Sequence, residues 1–183
     1  MSAGRWIITD GARWFFDAGA DCLDFTSGPD SEAPHWLRER FERLAADGIG
    51  ERGLVDALAL RAAITRMAAA SADRLELAPD DVDTLNLFAA TPDVPPVLAG
   101  GHRQAGAGGI RLGQALSTLA RDAVALFAAE ADGADRIRRC AADDCGIVFH
   151  DDSRTGTRRW CSMQRCGNRA KVRAFRERTL AAS

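Results

Sequence analysis

The sequence predicts an α+β protein that is mainly helical and has two parts of unequal size. Apolar residues recur at helical spacing through most of residues 31–131, after a short strand-like element near the N-terminus. Four of the five cysteines then fall in two pairs within the last quarter of the chain. We therefore expect an N-terminal helical domain with a small β element over residues 1–135, and a cysteine-bearing module over residues 136–183.

The first predicted elements are a hairpin and a helix. Two apolar-rich runs, at residues 5–8 and 13–16, flank an Asp-Gly pair, and this pattern is typical of a β-hairpin. After a turn-rich stretch, a helix is expected from residue 31 to residue 46, ended by a second Asp-Gly pair. The apolar side of this helix would carry Trp36, Leu37, Phe41 and Leu44.

The rest of the N-terminal domain is expected to be helical apart from one short β element. The periodicity predicts three further helices, at residues 50–72, 80–90 and 113–131. Three prolines between residues 92 and 96 interrupt the pattern. Residues 97–98 and 110–112 are expected to form two short strands around a glycine-rich loop. That loop holds His102, but it lacks the strand-loop-helix context of a phosphate-binding fingerprint.

Composition and motifs exclude several classes of protein. The chain is 46% hydrophobic and 27% charged, which is typical of a soluble globular protein. It has neither a secretory signal nor an apolar run of the ~18 residues that a membrane span needs. We therefore expect a cytoplasmic protein with no membrane partner. The N-terminal part shows no nucleophile elbow, P-loop or pair of metal ligands, and so the sequence does not predict an enzyme.

The four late cysteines have the spacing of a zinc site. They occur as Cys140-x4-Cys145 and Cys161-x4-Cys166, two ligand pairs separated by a short insert. In a reducing compartment paired cysteines more often bind metal than form disulfides. We expect one structural Zn2+ per chain, with two disulfides, an iron–sulfur cluster or unrelated cysteines as alternatives. His150 is expected to be a hairpin side chain, and the isolated Cys22 a core residue.

The insert and the last helix predict a treble-clef-like zinc finger. Residues 147–149 and 157–160 are expected to pair as a β-hairpin, and a short turn of helix is expected just before Cys140. A helix from residue 168 to residue 180 would follow Cys166, with its N-terminus stabilising that thiolate. Val172, Phe175 and Thr179 form an apolar stripe on this helix, and we expect the stripe to pack on the hairpin.

Positive charge is concentrated in the cysteine-bearing module. Residues 1–135 carry 12 arginines against 21 acidic residues, a balance of −9, and residues 136–183 carry 12 basic against 5 acidic residues, a balance of +7. A basic module beside an acidic body predicts a polyanionic partner, in the first instance DNA. A merely solvated basic face is the alternative. The candidate nucleic-acid contacts are Arg158, Arg159, Arg165, Arg169, Lys171, Arg173, Arg176 and Arg178.

These motifs resemble those of a known pair of domains. The cysteine pairs stand within Cys145-Gly146, Phe149-x-Asp151-x-Ser153-Arg154, Arg159-Trp160-Cys161-Ser162-Met163 and Cys166-Gly167-Asn168-Arg169-x-Lys171. Together they resemble the CGNR zinc finger over about residues 136–176. The N-terminal part is similar to the ABATE domain at Leu23-Asp24-Phe25, Leu60-Arg61 and Leu85-Asn86.

The resemblance implies a bacterial, stress-related transcription regulator. In such a protein the zinc finger binds DNA, and the N-terminal domain senses a small-molecule ligand or forms a homodimer. Two alternatives stay open at this point. In the first, the zinc serves only to fold a protein-interaction module, whose basic surface can dock on the acidic body of the same chain. In the second, the module binds RNA without DNA specificity.

Overall fold

A computed structural model of the chain describes residues 4–9, 12–45, 48–98 and 108–181. It confirms the predicted class, a mainly helical α+β protein with small antiparallel sheets. The strands are β1 (Arg5–Thr9), β2 (Ala12–Phe16), β3 (Ile137–Arg139) and β4 (Val148–His150). The α-helices are α1 (Asp21–Thr26), α2 (Ala33–Arg40), α3 (Glu51–Ala72), α4 (Pro79–Ala89), α5 (Leu112–Ala131) and α6 (Asn168–Ala181).

Helices α1, α3, α4 and α5 pack on one another around the main core. Apolar residues at i, i+3, i+4 and i+7 give each long helix one buried face, which explains why Leu60, Ile64, Leu116 and Leu119 are all buried. The periodicity located the three long helices α3, α4 and α5 to within one or two residues at each end. The predicted hairpin is also present, with β1 and β2 antiparallel, while the Asp-Gly turn between them lies outside the described residues.

Two buried charged residues, Asp24 and Arg61, hold α1 in place. The sequence pattern did not predict this helix. The Asp24 carboxylate accepts hydrogen bonds from the N–H groups of Ala18, at 2.8 Å, and Gly4, at 3.3 Å. The Arg61 guanidinium of α3 donates to the Phe25 carbonyl at 2.7 Å and to the carbonyls of the next three residues. These contacts tie the end of α1 to α3, because α1 is too short to be stable by itself.

Two predictions for the N-terminal domain were wrong, one in the end of a helix and one in the presence of two strands. The helix expected over residues 31–46 ends at Arg40, because Phe41 leaves the helical conformation and Leu44 forms an isolated parallel bridge with Ile110. The strands expected at residues 97–98 and 110–112 do not form, since residues 97–98 are irregular and Leu112 begins α5. A tertiary hydrogen bond from Ile110 N–H to the Arg43 carbonyl, at 2.8 Å, replaces the expected local pairing.

The hairpin of the C-terminal module pairs different segments from those expected. Strand β4 is antiparallel to β3, which lies before Cys140, so the predicted turn of helix before Cys140 and the predicted strand at residues 157–160 were both wrong. Ile137 lies opposite His150 and Phe149 lies opposite Arg138, so the two buried residues of this pair, Ile137 and Phe149, are on opposite faces of the sheet. The segment at residues 157–160 runs irregularly instead, held by a hydrogen bond from Arg158 N–H to the Asp151 carboxylate at 2.8 Å.

The module packs directly on the helical body. His150 N–H donates to the Ala18 carbonyl at 2.7 Å, and the buried Phe149 belongs to the same apolar cluster as the helices. Arg139 forms a bidentate ion pair with Asp73 at the end of α3, with both N–O distances at 2.6 Å. The division at residues 135 and 136 therefore stays a prediction about the chain's organisation, since one core runs across it.

Candidate metal centre and basic helix

The four paired cysteines converge at one end of the module. Cys140 follows β3, Cys145 closes the first turn before β4, Cys161 follows the irregular segment, and Cys166 lies in a π-helical turn, Met163–Gly167. All four sulfur atoms lie within 4.8 Å of one another. The Cys145–Cys161 and Cys161–Cys166 sulfur distances are 3.7 and 3.6 Å. A tetrahedral zinc with Zn–S bonds near 2.3 Å separates its sulfurs by about 3.8 Å, and so the cluster fits this metal.

Tight backbone turns bring each cysteine pair together. In the first pair, Cys140 N–H donates to the Ile147 carbonyl at 2.9 Å, and Cys145 N–H to the Ala142 carbonyl at 3.0 Å. In the second pair, the Ser162 hydroxyl accepts from Gln164 N–H at 3.2 Å and begins the π-helical turn. A Cβ atom on Gly167 would lie 2.7 Å from the Met163 sulfur. A side chain at residue 167 would therefore require the half-exposed Met163 side chain to move.

Burial raises the pKa of two of the four thiols when no metal is bound. It raises the pKa of Cys145 to about 11 and also raises the pKa of Cys161. Burial acts in the same direction at Cys140, but hydrogen bonds from the N–H groups of Cys161 and Ala142 outweigh it and lower the pKa of that thiol. Zinc must therefore displace protons when it binds. With four protein ligands no coordination position is left for water, so the metal is structural.

Comparison with protein families supports this interpretation. The CGNR zinc finger model matches residues 136–179. The ABATE model, described as a putative stress-induced transcription regulator, matches residues 27–130, which is more than half of the chain. This chain belongs to the ABATE family. Both resemblances inferred from the sequence are confirmed, in the expected order along the chain, and one structural zinc is the cofactor. A search of curated proteins found no match.

The family names place this ABATE chain among regulator-like proteins that carry a zinc finger, and neither name describes an enzyme. Within the described residues, no helix combines the length and the apolarity that crossing a bilayer requires. Of the other histidines considered, His35 lies exposed on α2 beside Glu39, and His102 lies outside the described residues. His150 lies in β4 with its ring near the Gly19 carbonyl, as expected of a hairpin side chain.

The arginine of the CGNR segment lies against the metal cluster. Arg169 donates from Nη2 to the Cys166 sulfur at 3.3 Å, and from Nη1 to an Asp144 oxygen at 2.8 Å. The hydrogen bond to Cys166 raises the pKa of Arg169. This guanidinium therefore links the second cysteine pair to Asp144 in the turn of the first. The charge of Arg169 alone does not distinguish a residue that contacts a cysteine sulfur from one that contacts DNA. The sequence therefore did not predict this hydrogen bond.

Replacing Arg169 should loosen the zinc. We expect Arg169→Ala to speed zinc release to a competing chelator by about 10–100-fold, because groups that hydrogen-bond to metal ligands commonly contribute that much to metal affinity. Arg169→Lys, which keeps the charge, should release zinc at a rate between those of the wild type and Arg169→Ala. Exposed Arg176, on the same helix, provides the matched control as Arg176→Ala. Equal release rates for Arg169→Ala and Arg176→Ala would show that the sulfur contact contributes nothing to metal binding.

A buried carboxylate holds the turn after β4. The Asp151 carboxylate is fully buried and accepts from the hydroxyl and N–H of Ser153 and from the N–H of Arg158. Burial would raise the pKa of Asp151, but these hydrogen bonds outweigh it and lower the pKa. Asp151 therefore caps this turn through side-chain-to-backbone hydrogen bonds. The Asn168 side chain, at the start of α6, donates to the Gln164 carbonyl at 3.4 Å.

Three of the candidate nucleic-acid residues lie against aromatic rings. Arg158 is a structural residue, because its guanidinium donates to the Asp17 carbonyl at 2.7 Å and to the Cys161 carbonyl at 2.6 Å, and lies 4.3 Å from the Phe149 ring centre. Arg159 lies over the half-buried Trp160 at 5.1 Å, and Arg165 lies over Trp14, also at 5.1 Å. Arg158 thus joins the module to the body.

The other five candidates lie on α6. Arg169 pairs with Asp144, and Arg173 pairs with Asp143 at 2.9 Å. Lys171, Arg176 and Arg178 are exposed.

The apolar stripe of α6 does not pack on the hairpin, and that prediction was wrong. Val172 is 50% exposed and Phe175 is 64% exposed. Strands β3 and β4 already pack against α1 and α3, with Ile137 and Phe149 buried, and α6 packs mainly on the π-helical turn that precedes it. The last helix of this ABATE chain therefore projects from the module with both its stripe and its basic residues exposed.

Proposed function

We propose that this ABATE-family chain is a cytoplasmic transcription regulator that binds DNA through α6, while its N-terminal domain senses a ligand or forms a dimer. The exposure of α6 carries the proposal. The helix has 14 residues, spans about 21 Å, and carries five of the eight candidate contacts. A basic, exposed helix held at one end by a structural zinc has the dimensions and charge to lie along a groove of duplex DNA.

The arrangement of side chains around α6 supports contact with both strands. At about 100° per residue, Lys171 and Arg178 lie on one side of the apolar stripe, and Arg173 and Arg176 lie on the other. A helix in the major groove can bring two such flanks to the phosphates of opposite strands. The exposed stripe, at Val172 and Phe175, would then face the base edges, where thymine methyl groups offer apolar contact.

The acidic turn of the first cysteine pair limits which basic residues can contribute most to DNA binding. Asp143 and Asp144 already pair with Arg173 and Arg169, so phosphates would have to displace a carboxylate there. Among the described contacts, no carboxylate pairs with Lys171, Arg176 or Arg178. We therefore assign the main electrostatic contribution to these three residues, with Arg159 and Arg165 near the base of the helix as secondary contacts.

Neutralising those three residues should weaken DNA binding and its dependence on salt. For the triple variant Lys171→Gln, Arg176→Gln and Arg178→Gln we expect the slope of log K against log salt to decrease by about two to three units, since each phosphate contact contributes about 0.9. Fluorescence anisotropy of full-length protein with a random-sequence duplex, at several salt concentrations, measures the slope. The charge-matched control, Arg38→Gln, Arg52→Gln and Arg74→Gln in the N-terminal domain, should leave it unchanged. Equal slopes for the two triple variants would contradict the proposal.

A protein-interaction module is the second candidate, and one observation favours it. Val172, Phe175 and Leu180 are at least half exposed on one helix, as in helices that dock into a groove of a partner protein. In that case no salt-dependent binding of duplex DNA would be measured. RNA binding is the third candidate, and the same assay tests it with unlabelled duplex RNA or unlabelled duplex DNA as the competitor. If the protein is an RNA-binding protein, the RNA should displace the labelled DNA at a lower concentration than the unlabelled DNA does.

A further inference from the structure

A cavity of about 440 Å³ lies where the helical body meets the zinc module. Its walls come from the β1–β2 hairpin, the end of α1, the second half of α3, and the chain between Cys145 and β4. Phe16, Leu23, Ala68 and Ile147 make much of the lining apolar. The volume is within the range of small-molecule sites, which are typically concave and mostly apolar with a few polar groups.

The polar groups of the cavity define the chemistry of a ligand. Three hydroxyls line it, and each donates its hydrogen to a helix carbonyl: Thr26 and Ser27 to Leu23, at 2.8 and 3.2 Å, and Thr65 to Arg61, at 2.8 Å. With their hydrogens committed, these oxygens can only accept further hydrogen bonds. A ligand polar group that satisfies them must therefore be a donor.

Charge is balanced at the cavity's edge. Arg139 also lines it, but its guanidinium forms a bidentate ion pair with Asp73, and this hydrogen-bonded pair lowers the pKa of Asp73. An anionic ligand would have to compete with that carboxylate, and a cationic one would meet the arginine. We propose that the cavity binds a small, neutral, mainly apolar or aromatic molecule that carries one hydrogen-bond donor, such as a phenol or an indole.

The position of the cavity links such a ligand to the basic helix. Gly146, Ile147 and Val148 form one wall and directly follow Cys145, and the same turn carries Asp143 and Asp144, which pair with α6. A molecule in contact with this wall restrains the turn and, through it, the arginines of α6. This half of the inference rests on the proposed function, since it requires that α6 binds DNA.

Indole and indene are matched probes, because they share a bicyclic shape and only indole has an N–H donor. Both are titrated into the full-length, zinc-loaded chain and followed by saturation-transfer NMR and calorimetry. We expect saturable binding of indole, with indene several-fold weaker. Ala69→Leu, which places a larger side chain on the α3 wall, should weaken indole binding by at least about tenfold. Ala59→Leu, at an exposed position of the same helix, should not.

A second variant tests the site independently, in case Ala69→Leu does not fold. Gly146 lines the cavity, and a Cβ atom there would meet no other atom within 4 Å, so Gly146→Leu adds bulk to this wall without a clash at Cβ and should also reduce indole binding. Non-saturable binding, or equal affinity for indole in the wild type, Ala69→Leu and Gly146→Leu, would overturn the site.

The coupling is tested separately, by repeating the DNA titration with saturating indole. A change in DNA affinity that Ala69→Leu abolishes supports it, and an unchanged affinity overturns it. Because indole binding is measured without DNA, a chain that binds indole but no DNA would refute the proposed function and leave the cavity site standing.

Discussion

Removing zinc should unfold the C-terminal module and lower the stability of the whole chain. A segment of this size buries too little apolar surface to be stable alone, and zinc binding to four thiolates supplies an apparent 10–16 kcal/mol or so to folding. The module also contributes Ile137 and Phe149 to the common core, so its unfolding exposes the helices beneath. We expect Cys161→Ser to abolish stoichiometric zinc binding and to cost more than about 3 kcal/mol in the free energy of unfolding.

Circular dichroism during thermal unfolding, combined with zinc quantification, tests this expectation. Cys22→Ala is the control, because Cys22 is a buried cysteine outside the cluster, with its N–H bonded to Asp122. It should keep one zinc per chain and cost only about 1–2 kcal/mol, as small core truncations do. A Cys161→Ser protein that melts at the wild-type temperature would show that the module folds without metal.

The sequence predicted those parts of the fold that depend on local pattern. Helices α3, α4 and α5 have long, regular apolar stripes, and the cysteine spacing needs only tight turns to form a metal site. The failures occurred where a distant contact decides the structure. Residues 41–44 leave the helix because Leu44 bridges to Ile110, and β4 pairs with β3, before Cys140, instead of with residues 157–160. Periodicity carries no information about either partner.

Prediction of the candidate site from the sequence was limited in the same way, because distant contacts decide the role of each residue. Charge alone grouped eight basic residues, but Arg158 donates to backbone carbonyls of the core contact, and Arg169 donates to a cysteine sulfur. Their side chains are chemically equivalent to that of the exposed Arg176, and only the positions of Asp17 and Cys166 distinguish them. The CGNR resemblance marked Arg169 as significant without stating what it contacts. An apolar stripe likewise cannot reveal whether the surface opposite it is already covered.

Arg61→Met should be strongly destabilising, although the substitution keeps an apolar side chain of similar length. Arg61 is 4% exposed and donates to the carbonyls of Phe25, Thr26, Ser27 and Gly28. It also pairs with Asp30 at 3.1 Å. Methionine fills the space but leaves the buried Phe25 carbonyl and three part-buried carbonyls without this donor, so we expect a loss of about 3–5 kcal/mol in the free energy of unfolding.

Urea denaturation measures that loss, with Arg52→Met as the matched control. Arg52 is exposed in the first turn of the same helix, so its replacement should change stability by less than about 0.5 kcal/mol. Three of the four carbonyls that accept from Arg61 belong to residues 26–28, which also line the cavity beside the zinc module. Arg61→Met should therefore weaken indole binding even at temperatures where the protein stays folded. If Arg61→Met costs no more than Arg52→Met, the network around α1 does not stabilise the fold, and the shape of the cavity must depend on other contacts.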